Sequence, residues 1–202
     1  MGGCAKVLNI GSNVIGWIIH PSVRGSVMDV RRVALLGVLG GLCVGVQVVP
    51  RPPNVEFTSF VVFLVGFFFG VRFAVFLGSL VMFVNGFVSP WGFAGLVMPF
   101  QVVGMAVVGF AGGVFRRYFK AGSNFSRLNY VEVSVLAAFV TLVYDVVTNF
   151  GFAIMFNVDF LVALIMGVWF SIIHVVSNAM LFGFAFPPLI RLSLKYFGGL
   201  LG

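Results

Sequence analysis

The chain has 202 residues, of which 61% are hydrophobic and only 8% charged, and its mean hydropathy is +1.16. A soluble domain carries roughly 25% charged residues, so this composition excludes an ordinary water-soluble enzyme and equally a disordered chain. The net charge of +7 therefore bears on membrane topology rather than on nucleic acid, and Cys4 and Cys43 make no disulfide framework, CxxC or zinc pattern.

Residues 1–27 differ in character from the rest of the chain. They hold Asn9, Ser12, Asn13, His20, Pro21 and Arg24, with a weak apolar stripe at 14–19 that is too short to span a bilayer. No apolar run leads into a small-residue cleavage site, and Lys6 stands where an N-myristoylation signal requires Ser or Thr. This segment reads as an interfacial or disordered lead-in, with Met28 as an alternative start, to a membrane domain over 28–202.

From Val33 onward the pattern predicts an all-α integral membrane protein of six transmembrane helices, at 33–49, 57–71, 73–88, 96–115, 131–155 and 160–186. Pro50, Pro52 and Pro53 end the first, Ser89 and Pro90 the third, and Pro187 and Pro188 the sixth. The second and third are short, with Arg72 between them, so tilt or burial must help. The apolar runs do not alternate with period two, which argues against a barrel. With six spans both termini share one side, and that side holds eleven of the 12 Lys and Arg; the other holds only Arg51. The positive-inside rule makes the basic side, and both termini, cytoplasmic. The basic connection at 116–130 could meet anionic headgroups, though ordinary topology-setting charge is the simpler account.

No phosphate loop, HExxH or GxSxG is present, so no enzyme activity is expected, and ATP-driven uptake would need another subunit to supply the ATPase. The chemistry lies in polar residues within apolar helices, which are costly in lipid and so mark cavities or partners. Asp145 and Asn149 share a face of the fifth helix, with Tyr144 and Thr148 on the adjacent strip. They read as a solute-binding face or a proton-coupled carboxylate, against the alternative of a carboxylate paired to Arg or His for structure. His174 and Asn178 repeat the spacing on the sixth helix, and a direct Asp145–His174 hydrogen bond would join the two helices. A metal site is not expected, because further ligands are missing. On the outer side, Asn54 and Glu56 precede the second helix as cap and first-turn acid or as pocket groups. Asn85, Trp91 and Gln101 add to that side, Trp91 as an interfacial belt residue or a pocket lid. Together these groups predict a pocket opening outward, closed by the 1–2 and 3–4 loops and floored by helices five and six. The first helix carries Gly37, Gly41 and Gly45 in register with Ala34 one turn before, a flat ridge for packing in the bundle or for docking a membrane partner. With 26 glycines in the chain, isolated pairs such as Gly66/Gly70 and Gly109/Gly113 are expected by chance.

These residues resemble a family. Arg32, Ala34 and Gly37, then Pro53, Asn54, Glu56 and Thr58, then Gly66 and Gly70, are similar to the first two helices of substrate-binding S components of energy-coupling factor (ECF) vitamin transporters. The run from Asn85 through Trp91 and Gln101 to Gly104, Gly109, Gly112 and Gly113 looks like the family's third and fourth helices, and Tyr144, Asp145, Thr148, Asn149, His174 and Asn178 its last two. Ser171 stands where relatives commonly carry Asp, which puts the ligand in doubt. The likeness covers about residues 31–192 and looks closest to the branch of proposed cobalamin and related-cofactor binders. It implies a six-helix cell-membrane protein that binds a vitamin or cofactor precursor from outside. Such a protein delivers its ligand inward with a transmembrane coupling subunit and two cytosolic ATPases, and ATP hydrolysis is thought to topple it. It further implies that Ala34, Gly37 and Gly41 dock the coupling subunit. The implied pocket is drawn from Asn54, Glu56, Asn85, Trp91, Gln101, Tyr144, Asp145, Asn149, His174 and Asn178. No cofactor of its own is implied, and riboflavin, cobalamin or a deazapurine remain open as ligands. The rival reading is a stand-alone proton-coupled carrier using Asp145 and His174, although no internal repeat is evident. An intramembrane enzyme or a scaffold protein ranks below both.

Overall fold

The computed structural model describes residues 30–49, 52–90, 92–122 and 130–197. The lead-in at 1–27, Trp91 and most of the basic connection between the fourth and fifth helices lie outside these. Among the described residues the regular structure is entirely helical: α1 (Val30–Val48), α2 (Thr58–Phe69), α3 (Val71–Val88), a short 3-10 turn (Gly95–Val97), α4 (Met98–Gly122), α5 (Tyr130–Phe156) and α6 (Phe160–Phe197). Four of them, α3 to α6, are long and apolar enough to cross a membrane; the apolar parts of α1 and α2 are shorter. At 1.5 Å per residue α2 is only about 18 Å long.

Helix α4 is the hub, packing on α2, α3 and α5, while α5 and α6 run along each other and α1 rests at the edge, mainly on α3. The core is an aromatic ladder. Phe60, Phe63 and Phe67 repeat on one face of α2 and meet Phe182 and Phe186 of α6 edge-on, with centroids 5.1 to 5.6 Å apart. Phe115 of α4 closes the cluster 5.9 Å from Phe186, in the geometry that aromatic quadrupoles favour. The opposite faces are bare and apolar: Phe139 of α5 and Trp169 and Phe184 of α6 are all exposed, Phe184 at 72%. Such a surface suits lipid and not water.

Close backbone approach at the hub depends on glycine. A Cβ at Gly66 of α2 would run into the Gly109 carbonyl and lie 2.8 Å from the Gly113 nitrogen, and one at Gly113 would lie 2.9 Å from the Val71 nitrogen. Gly66, Gly109 and Gly113, from pairs expected by chance in the sequence, thus mark a close helix crossing, whereas a Cβ at Gly70 would meet nothing within 4 Å.

Three features differ from the sequence expectation, the first being that α4 runs on to Gly122, past the expected end at 115. Helix α6 does not stop at Pro187 and Pro188 but carries both within it. Phe186, Pro187 and Ile190 are all buried, so packing holds that stretch helical, and prolines are tolerated in apolar helices whose freed carbonyls find other partners. Helix α2 is not capped by Asn54. That residue sits in the left-handed region (φ 60°) in the α1–α2 turn, a conformation asparagine tolerates, and Glu56 accepts the first amides of α2 instead, from Thr58 at 2.9 Å and Ser59 at 3.1 Å. At the far end of α5, Asn157 (φ 51°) forms a Schellman turn in which the Val158 amide donates to the Ala153 carbonyl. Asp159 then caps α6 by accepting from the Leu161 amide at 2.8 Å.

Candidate functional site

The polar residues of α5 and α6 meet where the sequence pattern places them. Asp145 Oδ1 lies 2.7 Å from His174 Nδ1, and both side chains are buried. The other ring nitrogen, Nε2, faces Glu56 Oε1 at 3.5 Å, an ion-pair distance longer than a good hydrogen bond. One imidazole is therefore held between two carboxylates, one from mid-α5 and one from the loop that opens α2. Burial works against ionisation of Glu56, but the His174 imidazole and Ser59 outweigh it and hold its carboxyl below the ordinary carboxylate range.

The pair is fixed from several sides. The Tyr144 ring stands edge-on to His174 at 5.6 Å and its hydroxyl reaches Met82 Sδ at 3.7 Å. The ring fits because residue 104 is glycine; a Cβ there would lie 2.7 Å from the Tyr144 ring. One turn along α6, Asn178 donates to Thr141 on α5 at 3.1 Å. Asn149 and Thr148 both donate to the Asp145 carbonyl, at 2.8 and 3.0 Å. Asn54 reaches across from the α1–α2 turn to donate to the Phe170 carbonyl at 3.1 Å, and its own carbonyl accepts from Ser177 at 3.3 Å.

A cavity of about 310 Å³ opens between α5, α6 and the α1–α2 turn. Asn54, Asp145, Thr148, Asn149 and Ser171 supply its polar wall, and Val97, Phe152, Ala163, Met166, Gly167 and Phe170 the rest. Asp145 Oδ2 is buried and has no hydrogen-bond partner. Of the residues singled out from the sequence, Asn54, Asp145 and Asn149 line the cavity, while Glu56, Tyr144 and His174 form the layer behind Asp145. Asn178 sits one turn away, bonded to α5. Asn85 and Gln101 are not in the cavity wall, though each buries an unpartnered oxygen, so the α3–α4 region contributes only Val97 among the described residues. Trp91 lies outside the described residues. The sequence pattern does not single out Ser177, Phe152 and Phe170; only the helical spacing of Phe170 to His174 and Ser177 marks them as neighbours on one face. Nor does it single out Gln47, buried on α1, whose amide donates to Thr58 at 2.7 Å. Among the described residues no cluster of His, Cys, Asp and Glu is arranged to hold a metal ion.

The ridge on α1 faces away from the bundle. Ala34, Gly37, Gly41 and Gly45 are all exposed, and a Cβ at any of the three glycines would meet nothing within 4 Å. Among the described residues nothing packs on the ridge, and Gly40, which does turn inward onto Leu77, is a separate contact. At the end of the bundle away from the cavity, Arg116 donates to the Phe68 carbonyl at 2.9 Å and Arg191 lies over the Tyr130 ring at 5.3 Å. Comparison with protein-family models, with curated proteins and with solved structures found no match to this chain.

Proposed function

We propose that this chain is the substrate-binding membrane component of an ECF-type importer, taking up a vitamin or cofactor precursor from outside the cell and handing it inward with a separate coupling subunit and two ATPases. The observation that carries this reading is the buried Asp145–His174–Glu56 arrangement at the wall of a cavity between α5 and α6. Intramembrane ionisable groups are costly and mark ligand or ion sites. A pocket at one end and a bare small-residue ridge on α1 give the two surfaces such a component needs, one for solute and one for its membrane partner. In this reading all six helices span the cell membrane with both termini cytoplasmic, in line with the arginines at the end opposite the cavity. Helix α2 is short but buried along most of its length, so little of it has to match the lipid thickness.

The test is native mass spectrometry of the detergent-purified protein from its host or a vitamin-replete medium. A co-purifying small molecule, lost in Asp145→Ala or His174→Ala, is the expected result. An empty protein that no vitamin stabilises would remove the solute-binding reading.

The 2.7 Å contact between Asp145 and His174 favours one rival, a stand-alone proton-coupled carrier, because such a pair can exchange a proton. Uptake by cells lacking any coupling ATPase, abolished by collapsing the proton gradient, would establish it.

A further inference from the structure

The charges around the cavity do not balance. Asp145 and Glu56 flank a single imidazole, two carboxyl groups sharing one basic partner. No Lys or Arg is among the described residues that line the cavity. Asp145 lines the cavity and is 5% exposed, and its Oδ2 is buried without a partner. A buried carboxylate oxygen without a donor is strongly disfavoured and is normally met by a cation or a hydrogen-bond donor. Thr148 and the Asn149 amide donate to the Asp145 carbonyl instead, and no side chain of the wall is bonded to Oδ2. Phe152 and Phe170 border the same space, and the faces of aromatic rings attract cations. At about 310 Å³ the cavity is at the low end of small-molecule sites, roughly 300–1,000 Å³, a size for one or two rings and not for a macrocycle.

We propose that the ligand of this cavity is a small cationic or amino-bearing heterocycle, whose protonated nitrogen or exocyclic amine pairs with Asp145 while its ring lies beside Phe152 and Phe170. This rests on the reading of the cavity as a solute site and narrows that reading to one charge class. Anionic ligands, phosphorylated ones above all, are excluded by the same field that holds a cation.

Three pyridines of one size test the charge class: 3-(aminomethyl)pyridine as cation, nicotinamide as neutral amide and nicotinate as anion. Each is titrated calorimetrically against the full-length chain in nanodiscs. The cation is expected to bind at least about tenfold more tightly than nicotinamide, as a hydrogen bond to a charged group allows, and nicotinate not at all. Asp145→Asn, close to isosteric, is expected to erase that preference; if this variant does not fold, the wild-type series decides alone. Nicotinate binding as well as the amine, or a preference that survives Asp145→Asn, overturns the charge assignment but leaves a solute site standing. An anionic species co-purifying with the wild type does the same. No binding by any of the three, together with an empty purified protein, overturns both.

Discussion

Asp145 of α5 and His174 of α6 meet at 2.7 Å with both side chains almost fully buried, and together with the Asn178–Thr141 hydrogen bond this contact ties the two longest helices of the bundle. Breaking a buried charge pair from one side leaves the other member uncompensated, at a cost of about 3–5 kcal/mol. His174→Ala is the harsher case, because it leaves Asp145 and Glu56 without their shared imidazole. The double variant Asp145→Ala, His174→Ala should cost clearly less than the sum of the singles. Unfolding in mixed micelles measures this, and simple additivity would show that the two side chains are not energetically coupled.

Glu56 gives the fold a pH dependence of definite sign. Its carboxyl is held below the ordinary value of 4.5 in the folded chain, so its contribution is fully present above that value. It is lost as the pH falls through the lower, folded-state value. The difference in thermal midpoint between wild type and Glu56→Gln should therefore be flat from neutral pH to about pH 5 and shrink below it. A difference that grows on acidification would mean that Glu56 is buried in its protonated form.

The same substitution should act in opposite directions at two kinds of glycine. Gly66 and Gly112 face backbone of a neighbouring helix, and a Cβ at Gly112 would collide with the Phe63 carbonyl. Gly66→Ala and Gly112→Ala should each cost about 1–3 kcal/mol through overpacking. Gly37 and Gly41 face open space, so alanine there should be neutral, or stabilising by up to about 1 kcal/mol from helix propensity. Thermal unfolding of the four variants in one detergent makes the comparison. A Gly41→Ala as damaging as Gly112→Ala would place the ridge inside a packed interface of the isolated chain.

The legible part of this molecule is what local pattern controls. Six apolar helices can be placed from the sequence to within a few residues at most of their ends, and the matched spacing of Asp145 and Asn149 with His174 and Asn178 by itself points to a shared face. The rest depends on helix rotation and depth, which spacing does not encode. Asn85 and Gln101 are read from the sequence as pocket groups, yet the turn of α3 and α4 leaves them half-buried and out of the cavity wall. Asparagine favours both helix caps and left-handed turns, so Asn54 can be read either way, and the turn takes it while Glu56 becomes the cap. Pro187 and Pro188 carry a stop signal that tertiary packing overrides. In a chain so rich in glycine, only the fold separates the pairs that touch another backbone from those that face outward.

The outward ridge leads to a prediction about transport rather than stability. Ala34, Gly37 and Gly41 line one exposed strip of α1, flanked by the exposed Val38 and Leu42. Small residues let a second helix approach closely in lipid, where dispersion and not water exclusion drives association. A large side chain at the centre of the strip would hold that helix away without touching the ligand cavity, which lies against α5 and α6. In cells that express a coupling subunit with its ATPases, Gly41→Trp should lower uptake by more than about tenfold, equivalent to losing roughly 1.4 kcal/mol of association. Gly41→Ala should lower it less. Ligand binding to the purified Gly41→Trp protein should equal wild type, because the substitution meets nothing inside the chain. Parallel uptake and calorimetric measurements separate the two surfaces. Full uptake by Gly41→Trp would move the partner contact off α1, and loss of binding in the purified variant would mean that the ridge and the cavity are not independent.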